Sequence, residues 1–411
     1  MGYTKHTVVG ISWMSAFRIV TRIIAFVRII ILARLLVPAQ FGIFGIATMA
    51  LTLLEILTET GINVFLVQEK KDVEEHVNDA WLVSMIRGTL IAALIIFTAV
   101  PVAAFFNVSE SIGIILLIGT VPFIRGFINP SEVKFQKELQ FNKEFYFRTA
   151  IFALDSLVAV VVSLITHSAI GLVFGLIAGA TLEVILSFAL IKPTPRLSFN
   201  MQKFMKIIHK GKWVTLYGIF NYAGTQGDNV TVGKLLGPGL LGIYQMGYTI
   251  ATLPLSEVSD VANRVTFPVY SRISEELSRL RRGFLKTTAL VSIVSILLGA
   301  IIFFFPKELF IFIFGQKWAG TLVVLKPLAI YGAIRGISNT ASSLFLALGK
   351  QKYVAGITFL RFAVLAASVV PLTLAFGILG TGYSVLLSGI IELLPIGYCL
   401  RLIFKSENDN I

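Results

Sequence analysis

Apolar runs of roughly 20 residues, separated by short polar segments, fill most of this chain. A hydrocarbon core of about 30 Å is crossed by about 20 helical residues. The pattern therefore predicts membrane helices near residues 8–32, 40–66, 79–104, 110–131, 145–166, 168–191, 213–236, 240–264, 284–305, 320–346, 353–375 and 378–402. The first run is too long and too rich in Arg for a cleaved signal peptide and reads as the first membrane helix. Proline cannot continue a helix and pushes the preceding residue out of the α region, so Val37-Pro38 and Gly237-Pro238 mark tight breaks. The expected class is an all-α polytopic membrane protein with about 12 transmembrane helices.

The pattern repeats. Ala33-Arg34-Leu35-Leu36-Val37-Pro38, running on to Phe41-Gly42-Ile43-Phe44, returns 200 positions later as Gly233-Lys234-Leu235-Leu236-Gly237-Pro238 and Leu241-Gly242-Ile243-Tyr244. Ile124-Arg125-Gly126 with Asn129 returns as Ile334-Arg335-Gly336 with Asn339, and Arg87-Gly88 returns as Arg282-Gly283. Gly171 and Glu183 return as Gly380 and Glu392 at the same spacing. One six-helix unit has been used twice. An even number of spans per unit means both enter from the same side, related by rotation about the membrane normal. The expected organisation is an N-terminal lobe over 1–191, a cytoplasmic amphipathic linker over 192–212, a C-terminal lobe over 213–402 and a cytoplasmic tail over 403–411. Phe199, Met201, Phe204 and Met205 alternating with Lys203 and Lys206 suggest a linker lying on the inner leaflet.

Composition narrows the class. The chain is 56% hydrophobic and 14% charged, against about a quarter charged in soluble domains. On the helix map 23 basic residues lie at segments on the N-terminal side and three (Arg34, Lys307 and Lys317) on the other. The positive-inside rule then places both termini in the cytoplasm of a multi-pass cytoplasmic-membrane protein. The net charge of +13 is thereby explained by loops beside bilayer-length spans, and not by nucleic acid. A single Cys excludes a disulfide framework, and no Cys/His spacing suggests a metal. No Asp-x-Asp motif or large outer loop supports an enzyme, so no catalytic residues are expected and no cofactor beyond a coupling H⁺ or Na⁺.

Charges inside the spans need a reason, because each costs at least about 2.5–3.5 kcal/mol. Arg18, Arg22 and Arg28 share one face of the first helix. They either line a polar cavity or pair with Glu55 and Glu59 of the next helix. Arg125 and Arg335 are copies, as are Glu183 and Glu392, which suggests one ion pair per half; the Arg members also stand as cavity candidates. Other charges have no copy. The counterpart of Arg28 in the repeat is Asp228, Arg18 and Arg22 correspond to Gly218 and Tyr222, and Asp155 corresponds to Val364. Such asymmetry suits an asymmetric substrate. Excess Arg favours an anion, since the guanidinium fork matches phosphate and carboxylate. Asp155, Asp228 and Glu59 are then candidates for a coupling H⁺ or Na⁺.

Arg34-Leu35-Leu36-Val37-Pro38 with Phe41-Gly42-Ile43-Phe44, its copy, and Asn263-Arg264 followed by Phe267-Pro268-Val269-Tyr270-Ser271-Arg272 resemble the polysaccharide transporters of the multidrug/oligosaccharidyl-lipid/polysaccharide exporter superfamily, in the O-antigen flippase and teichuronic acid exporter branch. The resemblance runs from the first helix to about residue 402. It implies two six-helix lobes forming a V and alternating access. It also implies export of a polyprenyl-pyrophosphate glycan for surface polysaccharide synthesis, beside a polysaccharide polymerase and glycosyltransferases, by a monomer in contact with membrane lipids. The alternative is a cation-coupled exporter of small molecules like the multidrug relatives. That reading needs an acidic cavity and is opposed by the Arg stripe.

Overall fold

The computed structural model describes residues 2–59, 77–196 and 201–405, with side chains over the same ranges apart from 2–12, 136, 201–217 and 405. Among the described residues all regular structure is helical. The first half comprises α1 (Gly2–Leu35), α2 (Pro38–Leu57), α3 (Val77–Phe106), the short pair α4 (Ser111–Ile118) and α5 (Thr120–Arg125), α6 (Phe141–Thr166) and α7 (Ile170–Leu190). The second comprises α8 (201–236), α9 (238–272), α10 (Leu277–Phe303), the short α11 (Lys307–Phe314), α12 (Thr321–Ala347), α13 (Gln351–Phe376) and α14 (Ile378–Lys405).

Eight of these helices (α2, α3, α6, α7, α10, α12, α13 and α14) are long and apolar enough to cross a bilayer. The remaining expected spans coincide with α1, α4–α5, α8 and α9. The first, α8 and α9 carry intramembrane charges, including Arg18, Arg22, Arg28, Asp228, Glu257 and Asp260. The α4–α5 stretch is broken at Gly119, because Pro122 has no N–H to offer the Ile118 carbonyl. Large apolar side chains face outward, with Phe97 78% and Leu394 74% exposed, while Glu183, Ser187, Thr373 and Glu392 are buried. Exposed apolar area on that scale belongs to a surface that meets lipid rather than water.

The chain forms two compact units, residues 1–222 and 223–411. Their division falls inside α8, beyond the expected linker. Residues 201–212 of that linker form the first turns of α8, while 197–200 and the side chains carrying its amphipathic pattern lie outside the described residues. So do residues 60–66 at the end of the second expected span and the tail from 406.

The duplication read in the sequence reappears as a repeated packing order. In the first half α3 packs on α5, α5 on α7 and α6 on α7; in the second α10 packs on α12, α12 on α14 and α13 on α14. The repeated glycines explain the hairpins. A methyl group at Gly171 would run into Ser163 of α6, and one at Gly380 into the Leu372 carbonyl of α13. The two breaks differ in kind. Gly237 sits at φ +82°, which a residue with a side chain avoids, whereas Val37 is extended at φ −93° and tolerates one.

Asn129, fully buried, ties the chain leaving α5 to the end of α7. Its amide donates toward the carbonyls of Ser187, Ile191 and Pro193 at 3.1–3.3 Å, and its Oδ1 accepts the Ser131 N–H. Alanine here strands several buried groups and is expected to cost about 2–3 kcal/mol. A lowered melting temperature of the purified N129A protein checks this; an unchanged one refutes it.

Candidate functional site

The polar interior of the first unit is built from helical periodicity. Phe17, Thr21 and Ala25 recur at every fourth position of α1, and Arg148, Ile151, Phe152 and Asp155 at three- and four-residue steps on α6. Such spacings put side chains on one face. These faces meet Gly179 and Glu183 of α7 and Arg125 of α5 around a cavity of about 380 Å³. Its walls carry the guanidinium groups of Arg22, Arg125 and Arg148 and the carboxylates of Asp155 and Glu183. Asp155 nests against α7 where Gly175 and Gly179 leave room; a methyl at Gly175 would meet its carboxylate.

Ion pairs fix most of these groups. Arg28 donates to Asp155 Oδ2 at 3.1 Å, leaving the buried Oδ1 without a hydrogen-bond partner. Arg125 lies 3.3 Å from Glu183, and Arg148 donates to Glu144 at 2.9 Å. Of the cations in these three pairs Arg125 is the most open, its side chain 44% exposed. It also lines a second cavity of about 210 Å³, with Glu55, Arg87 and Glu132. There Arg87 holds Glu59 at 2.9 Å and the Glu55 carbonyl at 2.8 Å.

Glu132 stands in the 3₁₀ turn Pro130–Val133, just beyond α5. Burial pushes its carboxyl up to about 7, with Glu183 and Glu144 adding to the rise and Arg148 and Arg125 opposing it. A carboxyl raised from about 4.5 stabilises the fold while protonated, and that contribution is lost as pH rises through 7. Glu132→Gln is expected to remove it, a difference of about 2 kcal/mol between pH 5.5 and 8.5, since only the part of the rise from 4.5 to about 7 that lies above pH 5.5 falls inside that range. The melting temperature of the purified protein should fall across this range, and the variant should fall less; equal slopes would contradict the assignment.

The second unit encloses its own polar chain. Asp228 is 3% exposed; it accepts the Tyr244 hydroxyl at 2.6 Å and the Asn229 N–H at 2.8 Å. Tyr244, Tyr248 and Tyr331 follow with ring centroids 6.2 and 6.3 Å apart. Beyond them Arg335 donates to both oxygens of Glu392 at 3.2–3.3 Å, and Arg361 lies 4.0 Å from the same carboxylate.

The structure distributes the sequence candidates unevenly. It joins Arg125 to Glu183 and Arg335 to Glu392, the pairs suggested by repetition. Of the α1 stripe, Arg22 lines the larger cavity, Arg28 is held by Asp155 at its edge, and Arg18 keeps a buried guanidinium nitrogen on the same helix. Glu59 is joined to Arg87. Arg335 and Asp228 belong to the second unit and do not line the cavity that holds Arg22 and Arg125. Arg148, Glu132 and Glu144 are not among the sequence candidates, because they stand at or just outside the ends of the expected spans 110–131 and 145–166. The available signal was the seven-residue step from Arg148 to Asp155, two helical turns on one face.

Two units repeating one packing order, with apolar side chains facing outward and ion pairs inside each, define a multi-pass membrane protein. Residues 31–323 match the polysaccharide biosynthesis protein family, and the chain belongs to that family. It is 24% identical to the teichuronic acid biosynthesis protein TuaB of Bacillus subtilis, covering 84% of this chain and 72% of that one. It is 23% identical to the lipopolysaccharide biosynthesis protein WzxC of Escherichia coli, covering 84% and 71%. The fold matches that of the lipid II flippase MurJ in an inward closed conformation, with a TM-score of 0.78 at 15% identity over 94% of this chain and 87% of that one.

Proposed function

We propose that this protein moves a lipid-linked oligosaccharide, a polyprenyl-pyrophosphate glycan, from the inner to the outer leaflet of the cytoplasmic membrane for surface polysaccharide assembly. The observation that carries the reading is the 380 Å³ cavity between lipid-facing helices, where three guanidinium groups meet two carboxylates. An anionic head is attracted there, and Arg22, Arg125 and Arg148 offer the donors that a pyrophosphate accepts. Relatives named for teichuronic acid and lipopolysaccharide biosynthesis, and the fold shared with a lipid II flippase, agree with this cargo.

In this reading both termini are cytoplasmic, which the excess of basic residues in the loops on that side supports. The cavity opens to the two faces in turn, and the polyprenyl tail stays in lipid. The protein acts as a carrier and not as an enzyme. A single chain suffices, its partners being the glycosyltransferases that build the glycan and the polymerase that consumes it. Asp228 is the better coupling candidate, for H⁺ or Na⁺, because the groups bonded to it are neutral, whereas Arg28 already balances Asp155.

Deleting the gene tests the cargo. Lipid-linked glycan facing the cytoplasm should accumulate, surface glycan should disappear, and the wild-type gene should restore both. Normal surface glycan with no accumulation would refute the proposal.

A further inference from the structure

One turn beyond the charged cavity the two helices that form it carry a cluster of rings. Trp13 on α1 packs against Phe145 and Tyr146 on α6, with centroids 5.3 and 5.8 Å away, and Phe145 meets Tyr146 at 5.1 Å with ring planes at 82°. Tyr146 is 63% exposed, and Trp13 and Phe145 are half-buried. The cluster is continuous with the cavity in two places. Trp13 lies four residues before Phe17, and Phe145 three before Arg148, and both of those later residues line the cavity. Each step is one helical turn on the same face, about 5 Å of rise.

We infer that Trp13, Phe145 and Tyr146 form a sugar-binding shelf that receives the saccharide next to the pyrophosphate. The inference rests on the proposed lipid-linked cargo and specifies how its sugar is recognised. A pyranose presents an apolar C–H face within a rim of hydroxyls. Indole and phenol rings match it, with a flat apolar body and a polar tip. The position fits the same molecule, because a glycan attached through pyrophosphate places its first ring beside the phosphates. Acyl chains would also cover exposed rings, yet a ring set at the interface only as an anchor has no reason to discriminate between a lipid with sugar and one without.

Binding of two probes to the purified full chain in nanodiscs decides the matter. One is undecaprenyl pyrophosphate; the other is the same lipid carrying a disaccharide of N-acetylglucosamine. The wild type should bind the sugar-bearing lipid more tightly, by about two- to ten-fold, as expected of an aromatic contact. Trp13→Ala should lose that gain while keeping its affinity for bare undecaprenyl pyrophosphate, and Trp13→Tyr should retain most of the gain and control for folding. Equal binding of the two lipids by the wild type, or an undiminished gain in W13A, would overturn the shelf while leaving the cargo proposal standing. Failure of the wild type to bind either lipid would overturn the cargo proposal and the shelf with it.

Discussion

Arg22→Ala is expected to lower surface glycan by about 10- to 100-fold while leaving the amount of protein in the membrane unchanged. Arg22 reaches the 380 Å³ cavity from α1 and is one of three guanidinium groups in its lining. Arg22 is exposed to the cavity, so what is lost is a charge-assisted hydrogen bond to the cargo, about 1.5–3 kcal/mol. Each 1.4 kcal/mol is about ten-fold in affinity, so that range gives the expected loss. Lysine should restore function only in part, because an ammonium is a point charge without the planar fork. Glutamate should be worse than alanine, since the lining would then hold two cations and three anions. Arg279→Ala is the control: its pair with Glu276 is 68% and 60% exposed, and pairs of that kind contribute little. Quantifying surface glycan in a deletion strain carrying each variant reads the result. Full display with Arg22→Ala would remove α1 from the site.

The sequence made the helices legible because bilayer thickness sets their length, and it made the paired charges legible because duplication copied them. Arg125 with Glu183 and Arg335 with Glu392 stand at matching places in α5–α7 and α12–α14, so the same geometry joins each pair. The glycine pair Gly171 and Gly380 was visible for the same reason, although only coordinates reveal the close helix approach that requires it. Unduplicated contacts were not legible. Arg28 was weighed against Glu55 and Glu59, its neighbours by helix order, and its partner proved to be Asp155, 127 residues away on α6. Helix order gives sequential neighbours, whereas α1 packs on α6 through a contact that no local pattern announces. Arg148 was passed over because it stands in the first turn of its expected span, where a basic residue marks the membrane surface; α6 begins four residues earlier, at Phe141, and so carries Arg148 deeper into the helix.

The Arg28–Asp155 pair leads to the second large effect. Both side chains are largely buried, 15% and 12% exposed, and they meet through one 3.1 Å contact. Removing one member of a buried pair leaves an uncompensated charge and costs about 3–5 kcal/mol. Arg28→Ala should therefore lower the melting temperature by several degrees and reduce the protein recovered from membranes. Asp155→Asn keeps the shape but strands the Arg28 cation, and should cost less, because α1 can turn a long guanidinium toward the open cavity beside Arg22. The double variant R28A/D155N removes both charges and should recover most of the stability lost in R28A, a positive coupling that a double-mutant cycle measures directly. Additive losses would show that the two side chains stabilise the fold independently. Transport separates this structural role from an ion-coupling one. If Asp155 serves to hold α1 on α6, the double variant should transport in proportion to its stability. If D155N melts like the wild type yet abolishes glycan export, the carboxylate itself acts in the cycle, and coupling would have to be assigned to Asp155 rather than to Asp228.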